Sequence, residues 1–165
     1  MAKKKTNYMS YLPLLAALLG VVALVMLFVP AVVVSEDVSY NGLKVAFGYT
    51  QSEGGVITIN LQHLKFSFMN LLPYILVLVG IVACVMGYKG NKLATFVGFV
   101  CFVAAAVLFF LAVSFAVPGS ALTLDGTLDA AKVKENWTLG AGAIVAGVCS
   151  GVAALSIAAS SVLKK

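Results

Sequence analysis

Arginine is absent from all 165 residues, and charged residues of any kind make up only 10% of the chain. A soluble domain carries about 25%, so an ordinary water-facing shell is excluded. Cysteine occurs three times, at Cys84, Cys101 and Cys149, each inside an apolar run. The polar stretches contain none, which excludes a disulfide framework there. These three thiols read as small packing residues. Histidine occurs once, at His63, so a metal or catalytic centre built on several imidazoles is excluded. Phosphate loops, nucleotide motifs and metal-ligand spacings are also missing. No metal or cofactor is therefore expected.

What the chain has in abundance is apolar sequence, 62% of its residues. Four runs, 11–34, 66–88, 93–117 and 137–163, contain no Asp, Glu, Lys, Arg or His. At 1.5 Å per residue, helices of these lengths would reach roughly 34–40 Å, enough to cross a hydrocarbon core of about 30 Å with some tilt. The expected fold is an all-α integral membrane four-helix bundle in a single domain, 1–165. The first run follows Lys3, Lys4 and Lys5, as a secretory signal would. It is longer than the apolar part of a signal peptide and no small-residue cleavage site closes it. An uncleaved first helix is expected.

Lysine placement sets the orientation. Lys3, Lys4, Lys5, Lys89, Lys92, Lys164 and Lys165 fall at one side of such a bundle, with no acid among them. The six acids, Glu36, Asp37, Glu53, Asp125, Asp129 and Glu135, all fall on the other side, beside Lys44, Lys65, Lys132 and Lys134. Basic flanks stay in the cytoplasm. Both termini are thus expected inside the cell membrane, with segments 35–65 and 118–136 outside. The net charge of +5 then belongs to a juxtamembrane belt facing anionic lipid headgroups. It is not a nucleic-acid surface.

Helices in lipid associate through small residues that permit close approach. Each run carries such a stripe: Ala16 and Gly20; Gly80 and Cys84; Ala94 and Gly98, then Cys101 and Ala105; and Ala143, Gly147 and Gly151. The last stripe is the longest, and is expected at the bundle centre or at a contact between copies. Tyr8, Tyr11 and Tyr88 are placed at the inner interface and Trp137 at the outer one.

Segment 35–65 breaks the apolar monotony. Asn41-Gly42 is the favoured pair of a two-residue hairpin turn. After it Leu43, Val45, Phe47 and Tyr49 alternate with Lys44, Ala46, Gly48 and Thr50. Residues 51–55 read as a second turn, and Ile57, Ile59 and Leu61 alternate with polar neighbours. The pattern predicts a three-stranded antiparallel meander. Residues 121–124 could add an edge strand, and 128–135 read as helical, an outward extension of the fourth helix. Together these predict a small antiparallel β cap on the extracellular side.

Four spans, both ends inside and a strand-rich first outer segment resemble claudin-like four-span proteins in topology. The W…GLW…C…C motif of that family has no counterpart here, so no site residue carries over.

Function is expected to lie in interaction rather than catalysis. The leading expectation is a non-enzymatic structural, accessory or assembly subunit that presents the cap, with a protein partner or self-association. The alternative is a transporter component or oligomeric channel, in which Ser150 and Ser161, on nearly one helical face, would line a wet path. Enzymatic chemistry would have to centre on His63 with an acid such as Glu53 or Asp125.

Overall fold

A computed structural model describes residues 11–54, 58–123 and 129–163. Pro13 sits in the first turn of α1 (Leu12–Val25), where its missing N–H is not needed. A 3₁₀ turn, Met26–Phe28, follows. Val29 is then extended (φ −93°, ψ 150°), because the ring of the next residue, Pro30, disfavours the helical conformation before it. The β-branched run Val32-Val33-Val34 continues as strand β1 (Pro30–Ser35). The first apolar run is therefore not one helix over 11–34. It changes from helix to strand at Pro30.

A turn at Glu36-Asp37 leads to β2 (Val38–Asn41), antiparallel to β1. The Asn41-Gly42 hairpin turn does not form. Asn41 instead caps a short helix, α2 (Gly42–Phe47), its side-chain oxygen accepting from the Lys44 N–H at 3.0 Å. Asparagine is as good an N-cap as a turn residue, and here the cap prevails. Leu43, Val45 and Phe47 thus lie on a helix and not on a strand. Val45 is buried while Leu43 and Phe47 are exposed.

Gly48 takes φ +86°, a conformation that L side chains resist, and turns the chain into β3 (Tyr49–Gly54). β3 pairs antiparallel with β4 (Thr58–Lys65), Tyr49 opposite Leu64 and Gly54 opposite Thr58. Tyr49, Ile59 and Leu61 do lie on strands. Ile57 lies outside the described residues. The expected meander is replaced by two separate hairpins.

α3 (Phe68–Tyr88) and α4 (Lys92–Phe110) form a helical hairpin. Asn91 caps α4 through Ala94 N–H at 3.2 Å. A one-turn helix, α5 (Ala112–Phe115), leads to β5 (Val117–Pro118). The third long helix is shorter than 93–117, because Leu111 interrupts it and Pro118 lies on a strand. Single turns α6 (Ser120–Thr123) and α7 (Ala130–Val133) precede β6 (Thr138–Leu139) and α8 (Ala141–Leu163). Residues 121–123 are helical instead of an edge strand. Trp137 and the β6 residues are likewise not part of the last helix, so α7 is no extension of it.

Two small antiparallel sheets result, ordered β2-β1-β6 and β3-β4-β5. A lone hairpin is marginal in water. Each hairpin gains its third strand from the stretch between α5 and α8, β6 beside β1 and β5 beside β4. That segment fastens both sheets. Ala31, Val32, Tyr40, Val45, Leu64, Ala112, Ala116, Trp137 and Ala143 form the shared core under them.

Below the sheets α1, α3, α4 and α8 pack in a closed ring, each touching the next. Its core holds Tyr74, Val77, Phe102, Phe109 and Ile157 among many alanines. Large side chains point outward instead: Leu18, Phe96, Leu155 and Val162 are more than 60% exposed. The chain is mostly helical, and α3, α4 and α8 are long and apolar enough to cross a membrane. The α1 helix with its 3₁₀ turn, Leu12–Phe28, is apolar but shorter.

Candidate functional site

Two polar knots join or decorate the cap, and both were built from residues far apart in sequence. The first sits where the cap meets the ring. Ser67 is buried and lies just before α3. Its backbone N–H donates to Ala46 O of α2 at 3.0 Å. Its hydroxyl donates to Phe115 O of α5 at 2.7 Å and accepts from the Asn70 amide at 3.2 Å. One serine thus holds three elements in register. Hydrogen bonds gain strength where water is excluded, and orphaned partners there are costly. Beside this knot lies a cavity of about 10 Å³ walled by Gly42, Asn70, Pro73, Tyr74 and Phe109 among others, a volume that admits a single water molecule. Tyr74 meets Phe109 edge to face, ring centroids 4.9 Å apart. Its hydroxyl lies against Gly42, where any side chain would collide with it.

The second knot lies on the cap. Tyr40, Tyr49 and His63 form an aromatic triangle with centroids 6.0, 6.2 and 5.8 Å apart. The Tyr40 hydroxyl and His63 Nδ1 are 3.1 Å apart. The Lys44 ammonium rests 3.9 Å above the Tyr49 ring, an attraction to the π face. Burial raises the Tyr40 pKa above its usual value, and the charge Tyr49 would carry raises it further. Tyr40 therefore stays a neutral hydroxyl at any physiological pH. His63 Nε2 is enclosed and has no hydrogen-bond partner. The groups around His63 are thus phenols, with Lys44 over one of them. Of the acids expected near it, Glu53 is on β3 with its side chain outside the description, and Asp125 is outside the described residues. Among the described residues no group of three or more His, Cys, Asp or Glu is arranged to hold a metal ion.

The small-residue stripes sit at helix contacts. Ala16 is fully buried in the ring core. Gly20 and Gly80 flank the Phe102 ring from α1 and α3: a Cβ at Gly20 would lie 2.9 Å from that ring and one at Gly80 3.0 Å. Gly98 faces Cys84, which a Cβ would approach to 3.3 Å. Ala94 is buried at the same α3–α4 seam, and Ala143 is buried under the cap. Along α8 the stripe divides. Gly147 meets the Phe110 ring within the chain at 3.0 Å, whereas a Cβ at Gly151 would meet nothing within 4 Å. Ser150 is fully buried with an unpaired hydroxyl, while Ser161 is exposed and donates to Ile157 O. The structure does not bring these two serines to one surface.

No protein-family model, curated protein or solved structure matches the chain.

Ser67, Asn70, Tyr74 and Phe102 escaped the sequence reading. Ser67 and Asn70 carried a faint signal, two polar side chains three residues apart at the start of an apolar helix, where they share one face. Phe102 carried none, being one of ten phenylalanines.

Proposed function

We propose that the chain is a non-enzymatic, four-span protein of the cell membrane, with both ends in the cytoplasm and the two sheets outside. It acts as an interaction or accessory assembly element that presents this cap. The observation that carries the reading is the side-chain distribution: alanines make up most of the ring interior, around a few large residues such as Phe102 and Phe109, while many leucines, valines and phenylalanines face out. Water drives large apolar residues inward, whereas lipid leaves packing of small residues as the main adhesive. The short α1 fits this scheme because mismatch of a few residues is accommodated by local bilayer thinning at modest cost. A cap riveted to the ring through Ser67 and clasped by β5 and β6 suits a platform held at fixed height above the membrane.

Self-association through α8 separates at Gly147 and Gly151. Gly147→Leu is expected to destabilise the single chain, because Phe110 already occupies that space. Gly151→Leu is expected to leave the single chain intact and to lower oligomer mass in detergent by light scattering. If Gly151→Leu leaves the mass of an oligomer unchanged, α8 is not the contact. A transporter or pore component is the second reading, favoured only by the unpaired Ser150 hydroxyl inside the ring. Solute flux in proteoliposomes that Ser150→Ala abolishes would favour it over the scaffold.

A further inference from the structure

On the flank of the molecule, where the ring meets the cap, runs a groove of about 450 Å³. Its floor and walls come from Phe66, Phe68 and Met69 at the start of α3, from Phe115 and Val117 around β5, and from Lys134 after α7. Phe66, Phe68, Met69 and Val117 are all exposed. The apolar walls are thus unpartnered, and the charged group on them is an ammonium.

That ammonium is held in place. Lys134 Nζ donates to Ser114 O at 2.9 Å, one of the open carbonyls at the end of α5, while Phe115 O is taken by Ser67. One bond leaves two of the three N–H donors of Lys134 free. Lys65, exposed and opposite Val117 in the β4–β5 pairing, adds a second positive charge at the same edge. Asp129 and Glu135 are exposed nearby in sequence.

We propose that this groove binds an anionic phospholipid of the leaflet on the cap side, its phosphate on Lys134 and an acyl chain along Phe66, Phe68, Met69 and Phe115. Charge complementarity selects the headgroup and the apolar wall takes the tail. The position fits, because the lining joins Val117 and Pro118 of β5 and Lys134 after α7 to the exposed Phe68 and Met69 in the first turn of the apolar helix α3. A soluble anion would gain only the ammonium and leave the phenylalanines wet. The proposal rests on the membrane reading above.

The test uses the full chain in nanodiscs of equal phosphatidylglycerol and phosphatidylcholine, followed by native mass spectrometry of lipids retained on release. Wild type is expected to retain phosphatidylglycerol preferentially. Lys134→Gln keeps a donor for Ser114 O but removes the charge, and is expected to lower that preference about fivefold, near the worth of one lysine at a lipid surface. Lys134→Arg is expected to preserve it, and Ala130→Trp, which fills the groove, to reduce retention of both lipids. Equal preference in wild type and Lys134→Gln, with both proteins folded by circular dichroism, overturns the proposal. A chain that does not enter nanodiscs at all overturns the membrane reading instead.

Discussion

Truncating Phe102 to alanine will loosen the ring of helices more than truncating any exposed phenylalanine. Phe102 is fully buried on α4 and its ring lies between Gly20 of α1 and Gly80 of α3. It therefore ties its own helix, α4, to two others, α1 and α3. Removing a buried phenyl group costs about 3–5 kcal/mol in a water-soluble core, from lost transfer energy plus the cavity left behind. In lipid the transfer part largely vanishes, since the tails are as apolar as the core. The cavity part stays, because the missing contacts are not replaced. The expected loss is thus near the lower end, about 3 kcal/mol, read by reversible unfolding in mixed micelles. Phe96→Ala, on the exposed face of the same helix, should lie within about 0.5 kcal/mol of wild type. The mirror test is Gly20→Leu. Its side chain would begin 2.7 Å from Ile81 and 2.9 Å from Phe102, overpacking worth about 1–3 kcal/mol. Similar stability for Phe102→Ala and Phe96→Ala would show that the glycine-lined notch does not hold the ring.

The second large effect is expected at Ser67. Ser67→Ala removes the hydroxyl that serves Phe115 O and the Asn70 amide. The Asn70 amide is buried and Phe115 is half-buried, and both lose their bond. Orphaned groups of this kind cost about 1–3 kcal/mol. The loss should be local. Amide hydrogen exchange is expected to quicken in α5, β5 and α2, the elements Ser67 joins, while the middle of α3 and α4 stays protected. Ser67→Thr restores a hydroxyl and should recover much of the protection. Uniform quickening across the chain, or none in α5 and β5, would contradict a rivet at this position.

The parts of the fold that were legible follow from composition. Runs free of charge must avoid water, so the apolar helices could be read directly, and α3 differs from its run by two residues at one end. Legibility failed where one residue carries two competing preferences. Asn41-Gly42 suits both a hairpin turn and a helix N-cap, and nothing local decides between them. Val45 and Ala46, adjacent in sequence, are both buried, an arrangement that fits a short helix better than a strand buried on one face. Pro30 ends the helix locally, yet the strand that follows gains its partner from β6, which arrives from more than one hundred residues away to pair with Val32 and Val33. The candidate sites were less legible still. The stripes of small residues could be found, but not that Gly20 and Gly80 accommodate an aromatic ring while Gly151 faces open space. Ser67, Lys134 and the Tyr40–His63 pair act through partners distant in sequence, which no window of residues contains.

The proposed crossing of the bilayer by α1, despite its length, is tested most directly by labelling single cysteines in intact cells. With Cys84, Cys101 and Cys149 replaced by serine or alanine, Thr6→Cys, Glu36→Cys and Lys89→Cys are made one at a time and exposed to a membrane-impermeant maleimide. Glu36→Cys is expected to label on intact cells, and Thr6→Cys and Lys89→Cys only after the membrane is opened. Labelling of Thr6→Cys together with Glu36→Cys on intact cells would mean that α1 does not cross, and four spans would be reduced to three.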